Sequence, residues 1–244
     1  MGVWMAVKGS STAARVLTVF EAVAAHQPVG VAVLSRILEM DKSAVQRALV
    51  TLAEQGWIRA REESSTRWET TPRILNIAYS SRGKSDRRQR IQQVLEQLAA
   101  QTAETAMFNE PDGAGLVVSQ VAESRQALRM VPRIGAVVPL RESATGRVLF
   151  PHLTVERQGE LLSGSADAEF RKLVADAREH GYAASNEVNE ASLTIAAPVF
   201  EGGGRALGAI AISGPAERMV PEQHPELANA VRRAAAELSR DLAD

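Results

Sequence analysis

Cysteine is absent from this 244-residue chain, so neither a disulfide framework nor a thiolate metal site is open to it. No apolar run approaches the roughly 20 residues that cross a bilayer. Neither sign of charge dominates: 28 Lys plus Arg stand against 29 Asp plus Glu, and a net charge of −1 names no partner. Residues 1–10 contain Val3, Trp4 and Met5 but are too short and interrupted for a signal peptide, and read as a flexible arm. With no targeting or spanning signal, the expected location is cytoplasmic, with no membrane partner.

Catalytic chemistry is also thinly represented. His26, His152, His180 and His224 are scattered without metal-ligand spacing, and none stands near a serine nucleophile motif. Gly202-Gly203-Gly204 lacks the Lys-Ser or Lys-Thr that completes a phosphate loop and reads as a turn. Glu187 and Glu190 are spaced as acid and base pairs sometimes are, but a polar loop before a strand explains them better. No catalytic residue, metal site or cofactor is therefore expected. An enzyme built on the second half of the chain is the alternative, and a nucleoid-type structural protein a third reading.

What is present is an uneven division of charge. The length suggests about two domains. Residues 1–90 hold 14 Lys plus Arg against 8 Asp plus Glu, whereas residues 91–244 hold 14 against 21. The basic part carries a helix over residues 41–56. Asp41 can cap it, Met40 and Val45 occupy the positions of a hydrophobic staple, and Gly56 ends it. Val45, Ala48, Leu49 and Leu52 recur at three, four and seven residues, which turns one stripe to a core and leaves Ser43, Gln46 and Arg47 on the opposite face. Those side-chain types read base edges in a major groove. A solvated surface would look the same on a lone helix, so the flanks decide.

Upstream, Val16, Val19, Phe20 and Val23 make an amphipathic helix of residues 11–25, broken by Gln27-Pro28-Val29-Gly30. Val33, Leu34, Ile37 and Leu38 form a second, short helix, and only Glu39-Met40 separates it from the third. That spacing forces a helix-turn-helix angle. Downstream the period changes: Trp57-Ile58-Arg59-Ala60-Arg61 and Arg67-Trp68-Glu69-Thr70 read as two strands around a polar turn at 62–66. Three helices and a basic-flanked hairpin make a winged helix-turn-helix domain over residues 11–72. Arg15, Arg61, Arg67 and Arg73 could neutralise phosphates, and each alone could equally be surface charge.

Residues 73–102 read as a helical linker, with a short helix over 72–79, a polar break at 80–85 and a helix over 86–102 whose first turns carry Arg87, Arg88 and Arg90. Solvation of that helix is the preferred reading over DNA contact. Residues 103–244 alternate strand and helix signals. Strands are expected at 103–108, 115–121 and 127–131, helices at 144–150, 155–162 and 167–180, a hairpin from 193–200 and 206–212, and a closing helix over 221–242. The class is α+β, with helices packed on an antiparallel sheet.

From about Ser11 to Asp241 the chain resembles the IclR family of bacterial transcription regulators. The resemblance is carried by Ala14-Arg15-Val16-Leu17, by Asp41-Lys42-Ser43-Ala44-Val45-Gln46-Arg47-Ala48-Leu49, and by Arg67-Trp68, where the family usually has Arg-Tyr. In the second half it is carried by Arg133-Ile134-Gly135 with 139–147, Ile195-Ala196-Ala197-Pro198-Val199, and Ile212-Ser213-Gly214-Pro215-Ala216-Glu217-Arg218. It implies a sequence-specific, DNA-binding transcriptional regulator with a GAF-like effector-binding domain, acting as a homodimer or homotetramer on a double-stranded operator. By position it implies DNA contacts from Lys42, Ser43, Gln46 and Arg47. It also implies a small-molecule effector, a carboxylate or an aromatic acid, held by backbone N–H groups at Ala144, Thr145 and Gly146 and by Ser185 or Asn186, Thr194 and Ser213. The chain departs from carboxylate-binding members where they have Asp near Ser185, Cys at Thr194 and Ser at Ala211, and the segment 181–196 is one residue short. Arg141 replaces a common His and adds a guanidinium suited to carboxylate binding if it faces the pocket.

Overall fold

Alternation of large and small residues along two central strands, and a 3.6-residue period in the flanking helices, organise a chain that divides into two compact units, Met1–Gly83 and Lys84–Asp244. The computed structural model describes residues 10–61, 65–80, 85–112, 115–162 and 166–243. The expected arm falls almost wholly outside the described residues, as do part of the wing turn and of the break at 80–85.

The first unit runs α1 (Ser11–His26), α2 (Val31–Ile37), α3 (Lys42–Glu54), β1 (Ile58–Arg61), β2 (Arg67–Thr70) and α4 (Arg73–Ser80). Ser10 caps α1 by accepting from the Ala13 N–H at 3.3 Å. Its core gathers Val19 and Val23 from α1, Leu34 from α2, Val45, Leu49 and Leu52 from α3, and Ile58 and Trp68 from the hairpin. The hairpin pairs Ile58 with Thr70 and Arg61 with Arg67. Val29 adds to it, exchanging two backbone hydrogen bonds with Trp68 at 3.0 and 2.8 Å. The turn between α2 and α3 spans residues 38–41 and bends at Glu39, whose φ of 52° is left-handed. Hydrogen bonds from Met40 N–H to the Ser35 carbonyl (3.1 Å) and from the Ser35 hydroxyl to the Met40 carbonyl (2.6 Å) hold it closed.

In the second unit, α5 (Ser85–Thr102) precedes β3 (Thr105–Asp112), β4 (Gly115–Ala122), β5 (Val137–Val138), α6 (Ala144–Leu149), α7 (Val155–Leu161), α8 (Ala168–His180), β6 (Ala183–Ser185), β7 (Ser192–Phe200), β8 (Ala206–Pro215) and α9 (His224–Asp241). The six strands form one antiparallel sheet in the order β5-β4-β3-β8-β7-β6. Side chains alternate across it. Phe108, Ile195, Val199, Ile210 and Ile212 face α5 and α9, where they meet Ile91, Leu95, Leu98, Val231 and Leu238. Met107, Ala183, Ala196, Ala209 and Ala211 face the opposite way, against Ala144, Val148, Leu149 and Ala177 of α6 and α8. In β7 and β8 the bulk lies mainly on the first face and alanine on the second.

Three expectations change. Residues 127–131 are not a strand: Arg218 donates to the Leu128 carbonyl at 3.1 Å, and the outer edge of β4 is taken by β5 instead. A three-residue strand, β6, forms where none was expected. The span read as a helical linker is divided, because α5 buries Ile91, Val94, Leu95 and Leu98 in the second unit's core. Two of its three arginines are engaged there too, Arg90 with Glu237 (2.6 Å) and Asp241 (2.5 Å) and Arg87 with Glu201 (3.8 Å), while Arg88 is exposed. A helix with one fully buried stripe and two cations in ion pairs is a packed element rather than a solvated one.

Candidate DNA interface and effector cup

The sequence puts an N-cap, a buried stripe and an open face on the same thirteen residues, and α3 carries all three. Val45, Ala48, Leu49 and Leu52 are buried, while Lys42, Ser43, Gln46 and Arg47 are exposed together on the other side. Asp41 accepts from the Ser43 backbone N–H at 3.1 Å and also from the Ser43 hydroxyl. Arg47 Nη1 donates back to that hydroxyl oxygen at 3.3 Å, four residues along the same face. The Ser43 hydroxyl, the Ser43 and Ala44 N–H groups and the Arg47 guanidinium together hold the Asp41 carboxyl below the usual aspartate range. Gln46 makes no side-chain hydrogen bond to another described residue.

Around this face the expected cations divide. Arg15 is exposed on α1, and Arg61 is exposed at the end of β1, 3.9 Å from Glu69. Arg67 is half-buried on β2 and reaches the Pro28 carbonyl at 3.5 Å. Arg73 does something else. Its guanidinium donates to the Gln55 carbonyl at 2.8 Å, closing the C-terminus of α3, and stacks 5.2 Å from the Trp57 ring. The expected phosphate contact is engaged within the unit. Arg59, which sequence reasoning missed, lies on the exposed side of the wing and pairs with Glu69 at 2.7 Å. The Arg-Ala-Arg alternation of β1 was the available signal.

Register explains the second site. Thr105, Ser213, Thr194 and Ser185 are Cα partners in succession across β3, β8, β7 and β6, so four hydroxyl side chains form one row on the alanine face. Thr194 donates to Ser213 at 3.0 Å, the Ser185 hydroxyl donates to the Glu142 carbonyl at 2.5 Å, and Thr105 accepts from the Ser124 N–H at 3.1 Å. Ser185, Thr194 and Ser213 were expected; Thr105 was not. The next row, Met107, Ala211, Ala196 and Ala183, is mostly methyl groups.

α6 packs on this face through Ala144 and Val148, and the loop before it comes so close that a Cβ on Gly146 would sit 1.8 Å from the Leu140 carbonyl oxygen. Ala144, Thr145 and Gly146 are all buried. The Gly146 N–H, expected to face an effector, instead donates to the Ser143 cap at 2.9 Å, and the Thr145 hydroxyl accepts from Asn109 at 2.9 Å. Asn186 is exposed just past the end of β6. Arg141 pairs with Asp167, the cap of α8, and lies 5.3 Å from the Phe170 ring. That partner takes up the charge expected to meet a carboxylate. Asp167 is held below the ordinary aspartate range, first by the Phe170 N–H and then by Arg141. Arg147, whose guanidinium is buried, reaches the Ala184 carbonyl at 3.2 Å and pairs with Glu187. The hydroxyl row itself carries no charge, and the two cations Arg141 and Arg147 are each paired with a carboxylate.

An open groove of about 570 Å³ lies elsewhere, between α5 (Gln92, Glu96, Ala99) and the end of β4 (Val121, Ala122), and shares no residue with the hydroxyl row. Among the described residues no group of three or more His, Asp or Glu is placed to hold a metal ion, and no helix is long and apolar enough to cross a membrane.

Comparison with known proteins joins the two sites. Residues 12–62 match the IclR helix-turn-helix domain, and residues 83–240 match the bacterial transcriptional regulator IclR C-terminal domain. The transcriptional regulator KdgR of Dickeya chrysanthemi is 27% identical, with 95% of this chain and 80% of that protein covered. The regulator BhcR of Paracoccus denitrificans is also 27% identical, over 94% and 86%. Among solved structures, an IclR regulator from Silicibacter superimposes with a TM-score of 0.81 at 23% identity, covering 95% of this chain and 96% of its own. An IclR homologue from Microbacterium hydrocarbonoxydans, crystallised with 4-hydroxybenzoate, gives 0.78 at 19% identity over 95% and 99%. An exposed helix face on a winged domain, an α+β domain after it in the sequence and family matches to both lead to one conclusion: the chain belongs to the IclR family of bacterial transcriptional regulators.

Proposed function

We propose that this regulator binds a pseudo-palindromic operator as a dimer, with two copies of α3 in successive major grooves about one helical turn apart. The exposed face of Lys42, Ser43, Gln46 and Arg47, backed by a fully buried stripe, is the observation that carries the reading. Gln46 suits adenine N6 and N7, and Arg47 suits guanine O6 and N7. Arg15, Arg59, Arg61 and Arg67 supply phosphate contacts that set register. A small effector bound over the row of Ser185, Thr194 and Ser213 shifts operator affinity, by as much as its own affinity differs between the DNA-bound and free forms. A hydroxylated acid such as 4-hydroxybenzoate, seen with one structural neighbour, is the first ligand to try.

Selection from a random duplex library with the full-length protein tests this. The expected result is an enriched site with dyad symmetry, whose affinity changes when the effector is added. Equal retention of all sequences would favour non-specific binding and defeat the proposal.

A further inference from the structure

The Asp41, Ser43 and Arg47 side chains form a chain of hydrogen bonds along the reading face, and its direction assigns roles. The Ser43 hydroxyl has one proton, and it is given to Asp41. Its lone pairs face Arg47 Nη1 at 3.3 Å. Ser43 therefore has no donor to offer a base edge without giving up a hydrogen bond to a carboxylate, the stronger kind, and one of its two lone pairs is already taken by Arg47. Arg47 is differently placed, because only one of its five N–H donors is used by Ser43. Ser43 lies one turn toward the helix N-terminus, so the bond draws the guanidinium toward the end of α3 that enters the groove in helix-turn-helix proteins.

Resting on the DNA-reading role proposed above, we infer that Ser43 is a positioning residue, anchored by Asp41, that fixes the rotamer of Arg47, and that Arg47 and Gln46 are the two base readers of α3. Arg47 then reaches guanine with its fork already oriented, and Gln46, whose side chain holds no hydrogen bond to another described residue, reads a neighbouring pair. The exposed hydroxyl serves specificity without touching DNA.

The test uses the full-length protein and the duplex selected by the parent chain, with every position of one half-site substituted in turn and affinities read by fluorescence anisotropy. Arg47→Ala should lose about 5- to 100-fold discrimination at one base pair. Ser43→Ala should lose discrimination at that same pair and leave the others intact, and the double variant should be no worse than Arg47→Ala alone. Gln46→Ala should relax a different pair. Circular dichroism should show unchanged helix content in Ser43→Ala, because Asp41 keeps its bond to the Ser43 backbone N–H. Loss at a pair that Arg47→Ala leaves untouched would make Ser43 a reader and overturn the assignment. An unchanged profile in Ser43→Ala overturns it as well, as does a uniform loss in Arg47→Ala, which marks a phosphate contact. Failure of the parent chain to enrich any site sinks the DNA-reading role itself, and this inference with it.

Discussion

Glycine at position 146 shows how a single hydrogen atom sets the distance between α6 and the loop that leads into it. In an ordinary helix Gly→Ala stabilises by about 0.5–1 kcal/mol. Here the new methyl would stand 1.8 Å from the Leu140 carbonyl oxygen, a backbone atom that cannot swing aside. Overpacking of this kind costs about 1–3 kcal/mol or more, so the clash wins and Gly146→Ala should lower the urea midpoint of the second unit. An unchanged or raised midpoint would show that the loop at Leu140 moves away from α6 freely. At Asp41 the relevant variable is pH. Its carboxyl is held below the usual range in the folded chain, so the ionised cap contributes fully above the unfolded value and is lost as pH falls through the folded one. Asparagine caps about as well and does not titrate. Asp41→Asn should therefore leave helix content near neutrality unchanged and flatten its decline below about pH 4, followed by circular dichroism. An acid limb identical to the parent's would place the titration elsewhere. Residue-level legibility was uneven. The Asp41 cap and the Val45 stripe were readable because they depend on local spacing, whereas the engagement of Arg73 with Gln55 and of Arg141 with Asp167 depends on partners 18 and 26 residues away.

At the scale of elements, periodicity carried most of the assignment. Ala209-Ile210-Ala211-Ile212 announces a strand with unlike faces, and α3 and α9 announce their buried stripes. The failures have physical causes. β6 is three residues of Ala183-Ala184-Ser185, with no β-branched side chain, and exists because β7 offers it an edge. Residues 127–131 have strand-like composition but pair with no strand, and the Leu128 carbonyl accepts from Arg218 instead. The hydroxyl row was half legible: the resemblance marked Ser185, Thr194 and Ser213, and register alone adds Thr105. The row of alanines beside it sets the room beneath α6. Ala211→Leu should cost about 1–3 kcal/mol of stability and abolish the effector's influence on operator affinity, while affinity without effector stays at the parental value. A variant that still responds to the effector would remove Ala211 from the floor of the cup.

Over the whole molecule, the division of charge has a measurable result. If a dimer meets six to ten phosphates through its basic units, operator affinity should fall about 10³- to 10⁵-fold between 50 and 200 mM salt, measured by anisotropy. A fall of tenfold or less would mean that the arginines around α3 contribute little. That two units exist, and that the first reads DNA, was legible from the order of elements and from the charge asymmetry. The boundary was not, because the packing of α5 onto the second sheet depends on contacts with α9 that begin more than 130 residues later. The two-sided sheet has a consequence for how such a protein diversifies. The isoleucines of β7 and β8 turn toward α5 and α9, so a substitution on the alanine side falls on the smaller of the two cores and leaves the larger one in place. Mutational drift toward a new effector thus loads the packing of α6 and α8, while the core under α5 and α9 goes on holding the sheet.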